Sequence, residues 1–97
     1  MSSTIKTLDD GLEAYKARKF CEAAEIWMTF AEQGVAEAQF NLGVMYKDGI
    51  GVPQNHDDAM NWLTKSSEQG HEHAKLIVDM LTRDSEGLQN EPEKKSD

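Results

Sequence analysis

Few residues in this 97-residue chain have the types and spacing that chemistry needs. They are the run His71-Glu72-His73, the adjacent Asp57 and Asp58, the single Cys21, and the stretch YKDGIGVPQN from Tyr46 to Asn55. Two histidines on a helix share a zinc ion when four residues apart; two apart, His71 and His73 point in different directions and read as surface side chains. Asp57 and Asp58 diverge in the same way, and acidic residues in a first helical turn are accounted for by the helix dipole. Cys21 has no neighbouring histidine to activate it and no second cysteine to pair with, so it reads as an inert thiol. The glycine-rich stretch would cradle a phosphate if it followed a strand and carried the P-loop lysine and hydroxyl. A helical pattern precedes it instead. The chain is therefore expected to be non-catalytic and to hold no metal or cofactor.

The elements around these residues are helical throughout. Apolar side chains recur at helical spacing over about residues 4–17 (Leu8, Leu12, Tyr15) and 20–34 (Phe20, Ala23, Ala24, Trp27, Phe30, Ala31). They do so again over about 35–47 (Ala38, Leu42, Met45, Tyr46), 56–69 (Ala59, Trp62, Leu63) and 71–83 (Ala74, Ile77, Val78, Leu81). Gly34 and Gly70 follow the second and fourth stripes as stops. Met28, Met45, Met60 and Met80 read as packing residues. Residues 1–84 are expected to form one small domain with a thin core, and 85–97, with Leu88 as the one large apolar side chain, a disordered acidic tail. No apolar run approaches the roughly 18 residues of a membrane span, and the first residues lack a signal core, so a cytoplasmic protein is expected. Eighteen acidic against ten basic residues give a net charge of −8, which disfavours nucleic acid and anionic lipid and favours a basic partner.

The pattern repeats. AEQGVAEA at Ala31–Ala38 returns as SEQGHEHA at Ser67–Ala74, an offset of 36 residues that also carries Ala23 onto Ala59. Two helices per period of this length mark a helical solenoid, in which each pair closes its apolar face on the next. Within that frame the glycine-rich stretch joins the two helices of the central unit. Gly43 in mid-helix costs about 1 kcal/mol against alanine, a loss accepted where another helix comes close. Gly49 and Gly51 can take positive φ, Val52 anchors the hinge, and Asn55 is a suitable N-cap.

Residues 36–70, through Ala36, Ala38, Leu42, Gly43, Met45, Tyr46, Gly49, Gly51, Val52, Ala59, Trp62 and Gly70, resemble a complete Sel-one-like repeat, a relative of the tetratricopeptide repeat. Residues 15–34 are similar to the end of a preceding unit with a shorter hinge, and 71–83 to a final first helix. The resemblance implies an all-α, short right-handed α-α superhelix of about five helices, two pairs and a capping helix. It further implies a concave face lined by the first helix of each pair. Glu13, Lys16, Glu37, Phe40 and Asn41 are the groove candidates on that face, with Val44, Lys47, His73, Ile77 and Met80. Phe40 and Ile77 could equally be core between helices; a mid-helix Asn41 could bond a peptide backbone or the stack itself.

The function expected is protein binding by an adaptor or regulatory subunit, as a monomer or weak homodimer. The alternatives are a small acidic inhibitor or immunity-type protein that blocks a basic enzyme or toxin, and a hydrolase, for which no catalytic constellation is legible. Asp79 falls where Gly43 sits one period earlier, so it is expected to face solvent and end the array. Any self-association is expected at the opposite end, through Ile5, Leu8 and Leu12.

Overall fold

The computed structural model describes the backbone of residues 7–95 and the side chains of residues 7–83. The described residues form five helices and no strand: α1 (Leu8–Lys16), α2 (Phe20–Glu32), α3 (Ala36–Asp48), α4 (His56–Glu68) and α5 (Glu72–Lys95). Each packs on the next in chain order, giving an all-α stack of two helix pairs followed by α5. The first helix begins at Leu8, where the Thr7 hydroxyl accepts the Asp10 N–H and the Asp10 carboxylate accepts the Thr7 N–H, a reciprocal cap. Residues 1–6, including Ile5, lie outside the described part.

Close approach inside each pair sets the geometry. A Cβ on Gly43 would stand 2.7 Å from Leu63 Cγ and 3.2 Å from the Leu63 backbone nitrogen, so α4 rests directly on the α3 backbone. Leu63 is fully buried and has nowhere to retreat. The first pair repeats the device: a Cβ on Gly11 would collide with the indole of Trp27. The Trp27 indole N–H is buried there without a hydrogen-bond partner among the described residues. Ala14, Ala23, Ala38, Leu42 and Met45 fill a core shared by α1, α2 and α3, and Ala59, Leu63 and Ala74 a second between α4 and α5. Tyr46 packs against both, and Trp62 against the first, filling the space between helices.

The stretch from Tyr46 to Asn55 turns the corner between α3 and α4. Gly49 adopts φ +72° and caps α3; the Gly49 and Ile50 N–H groups both donate to the Met45 carbonyl, and Asn55 N–H to that of Tyr46. These amides are spent on the helix end and none of them is offered to an anion. The Asn55 side chain accepts the Asp58 N–H at 3.0 Å and starts α4. Gly51, at φ +77°, has a further role: a Cβ there would lie 2.5 Å from the Phe20 carbonyl oxygen, so the hinge of the second unit presses on the first turn of α2. The shorter first hinge turns at Arg18, which takes φ +66° without being glycine.

Polar ties lock the units together. Buried Gln39 donates to the Ala31 carbonyl and accepts from Gln69, which also donates to the Gly34 carbonyl at 2.7 Å. Ser66 Oγ donates to the Ala36 carbonyl at 2.8 Å. The recurring EQG motif thus supplies, at Gln69, a side chain that bridges both units.

One expectation at the chain ends is corrected. Helix five does not stop near residue 83; its backbone runs on as helix to Lys95. At the other end, Leu8 packs against the first core and Leu12, 44% exposed, edges a groove described below. Asp79 is exposed, as expected.

Substituting Gly43→Leu is expected to cost about 2–3 kcal/mol by overpacking despite better helix propensity, lowering the thermal midpoint by roughly 10 °C. A midpoint at or above wild type would refute the close approach. A chain ending at Asp84 is expected to lose helical signal but keep its midpoint; a lower midpoint would show that the tail packs on the stack.

Candidate functional site

A groove of about 200 Å³ runs between α1 and α3, lined by Leu12, Tyr15, Trp27, Phe40, Asn41, Val44 and Met45. Trp27 and Met45 are almost wholly buried and form its floor, and Leu12, 44% exposed, stands on its edge. Tyr15 holds its wall, with its ring edge-on to Phe20 at 4.9 Å and tilted against Trp27 at 5.8 Å. Asn41 is half-buried, and its carboxamide has no hydrogen-bond partner among the described residues. It is a donor and acceptor set among apolar side chains.

Of the residues expected on this face, Phe40, Asn41 and Val44 line the groove. Glu13 and Lys16 are exposed on α1 but do not line it. The ammonium of Lys47 is held by Asp48 at 2.8 Å. Ile77 is half-buried against the second core, in keeping with the inter-helix role open to it. Met80 is 57% exposed, which corrects its reading as a packing residue. Leu76, at 59%, is the other exposed large apolar residue of α5. By the 36-residue offset Leu76 and Met80 occupy the positions of Phe40 and Val44, so α5 repeats the groove-lining pair of α3.

Histidine 71 departs most from expectation. It is no surface residue: its side chain is 13% exposed and its ring stacks on Phe40 with centroids 4.5 Å apart. Its Nδ1 accepts the Ala74 N–H at 3.2 Å and caps α5, which places the proton on Nε2, 3.0 Å from the Glu37 carboxylate. Glu37, expected to face a partner, thereby joins α3 to the start of α5. His73 is exposed, with its ring 6.1 Å from that of Phe40. No group of three or more His, Cys, Asp or Glu side chains among the described residues is arranged to hold a metal ion. Leu12, Tyr15 and His71 were missing from the expected site. The i, i+3 spacing of the first two was visible, but which groove they face depends on the rotation of α1.

Stacked helix pairs of one repeating form, with an apolar furrow along the first helix of each, define a helical-repeat scaffold. Residues 36–71 match the family model of the Sel1 repeat. It is 42% identical over 43 residues to a Sel1-like repeat-containing protein of Acanthamoeba polyphaga mimivirus, covering 44% of this chain and 7% of that protein. It is 33% identical over 72 residues to an F-box protein of Arabidopsis thaliana, covering 74% of this chain and 20% of the relative. With chitin synthase regulatory factor 3 of Schizosaccharomyces pombe it shares 32% over 75 residues, 76% of this chain and 8% of that one. The chain thus spans a fifth or less of the length of these curated relatives. The crystal structure of a Sel1 repeat protein from Oxalobacter formigenes superposes with a TM-score of 0.66 at 27% identity, over 81% of this chain and 47% of the other.

Replacing His71→Ala removes the acceptor for the Ala74 N–H and the stack on Phe40, and is expected to cost about 1–2 kcal/mol. Amide exchange at Ala74 and its neighbours should quicken more than exchange in α2; uniform change across the stack would show that His71 is not the cap.

Proposed function

We propose that the chain is a protein-binding module, an adaptor or regulatory subunit, which takes a segment of a partner protein along the furrow formed by α1, α3 and α5. The observation that carries this reading is the placement of its exposed apolar side chains. Among the described residues the three exposed large hydrophobics are Leu12, Leu76 and Met80. Leu12 edges the groove and the other two recur at groove positions. Unpaired Asn41 at the centre supplies a donor and an acceptor suited to a peptide backbone. Repeat scaffolds of this kind serve as interaction modules, and the names of two relatives, a regulatory factor and an F-box protein, accord with such a role.

The reading is non-catalytic and needs no cofactor. A net charge of −8 favours a basic partner over nucleic acid or an anionic membrane. No helix among the described residues is long and apolar enough to cross a membrane.

The test is selection of peptides from a displayed random library on the immobilised chain, followed by calorimetry on the best binder. Leu12→Glu and Asn41→Ala are each expected to weaken binding by about tenfold or more, with Asp79→Asn unchanged as control. Binders indifferent to both substitutions would place recognition elsewhere.

A further inference from the structure

A second groove, larger than the first and sharing no lining residue with it, lies between α2 and the hinge of the second unit. Its volume is about 480 Å³, within the roughly 300–1,000 Å³ of ligand-accepting clefts, and it is open to solvent along its length. Buried Ala24 and Leu42 form its floor and half-buried Met28 and Val52 its walls. The exposed side chains of Cys21 and Glu25 stand on the rim. The groove exists because Gly51 brings the hinge against the first turn of α2, which holds Val52 opposite Met28 at a fixed span.

Charge identifies what fits it. From Phe20 to Tyr46 the sequence contains Glu22, Glu25, Glu32 and Glu37 and no Lys, Arg or His. The rim carboxylate of Glu25 makes no ion pair or hydrogen bond with any described residue. An apolar trough beside an uncompensated carboxylate, on a helix whose charged side chains are all acidic, complements a chain segment that carries aliphatic and cationic side chains together. A neutral apolar segment would leave Glu25 without a counter-charge, and an acidic one would be repelled.

We infer that this groove is a second docking site, which takes a basic segment with aliphatic side chains from a partner protein. It stands apart from the furrow along α1, α3 and α5 and does not depend on that reading.

The probe is a short synthetic peptide alternating leucine and lysine, compared with one in which glutamate replaces every lysine, titrated into the full chain and followed by amide chemical shifts. The lysine peptide is expected to shift Cys21, Glu25, Met28 and Val52 and leave Leu12 and Asn41 in place. Its affinity should fall about tenfold in Glu25→Lys, an exposed helical position that tolerates exchange, and fall again as salt is raised. Met28→Ala should weaken it without changing the salt dependence. The inference is overturned if the two peptides bind alike, if the lysine peptide does not bind, or if Glu25→Lys leaves its affinity unchanged. It is overturned equally by shifts confined to the α1–α3 groove. Concentration-dependent shifts at these residues without peptide would assign the groove to a second copy of the chain, whose exposed Lys16, Arg18 and Lys19 form a basic cluster, and so overturn it too.

Discussion

The contact of Leu63 on the bare backbone of Gly43 is the constraint from which the rest of the stack follows. Two helices that touch without an intervening Cβ lie closer than ordinary side-chain packing allows, and at that distance small residues suffice to complete the interface. Ala38 and Ala59 are therefore wholly buried, and Leu42 and Met45 are left to reach across to the preceding unit. Gly11 against Trp27 applies the same rule with a bulkier partner, which is why the first pair accommodates an indole where the second holds a leucine.

Once the pairs are fixed, their mutual arrangement is set by the apolar core that α3 shares with α1 and α2, and by a few polar ties. Gly51 seats the second unit's hinge on the first turn of α2 in the unit before it, while Gln39 and Gln69 occupy carbonyls at the end of α2 and at Gly34, and Ser66 that of Ala36 at the start of α3. A buried carbonyl left unpaired costs about 1–3 kcal/mol, so these side chains specify spacing as well as stability. The junction to α5 uses a different solution. His71 caps the helix, stacks on Phe40 and donates to Glu37, so one side chain combines ring-stacking, capping and hydrogen-bond contacts.

Both grooves are consequences of this construction. One opens between α1 and α3 beside Asn41, and the other between α2 and the hinge that Gly51 lets press on the first turn of α2. Their characters differ. The first combines an unpaired carboxamide with apolar walls, as suits a peptide backbone; the second adds an uncompensated carboxylate, as suits a cation. A scaffold of fewer than a hundred residues can thus offer two chemically distinct surfaces, because repetition exposes two faces of each helix pair.

The sequence by itself determined the helices, their order, the hinge with its cap at Asn55, the close approach at Gly43 and the exposure of Asp79. These are legible because each depends on local periodicity or on a residue whose conformational freedom has a single use. Other features had to wait for the tertiary structure: the partnership of Gly11 with Trp27, the burial of His71, the outward turn of Met80, and the helical backbone beyond residue 83. So did the division of the expected site into groove residues such as Asn41 and structural ones such as Glu37. A side chain's environment depends on the rotation of its helix about its own axis and on which element arrives beside it. Both are decided by contacts between residues as much as 35 positions apart, and no local pattern records them.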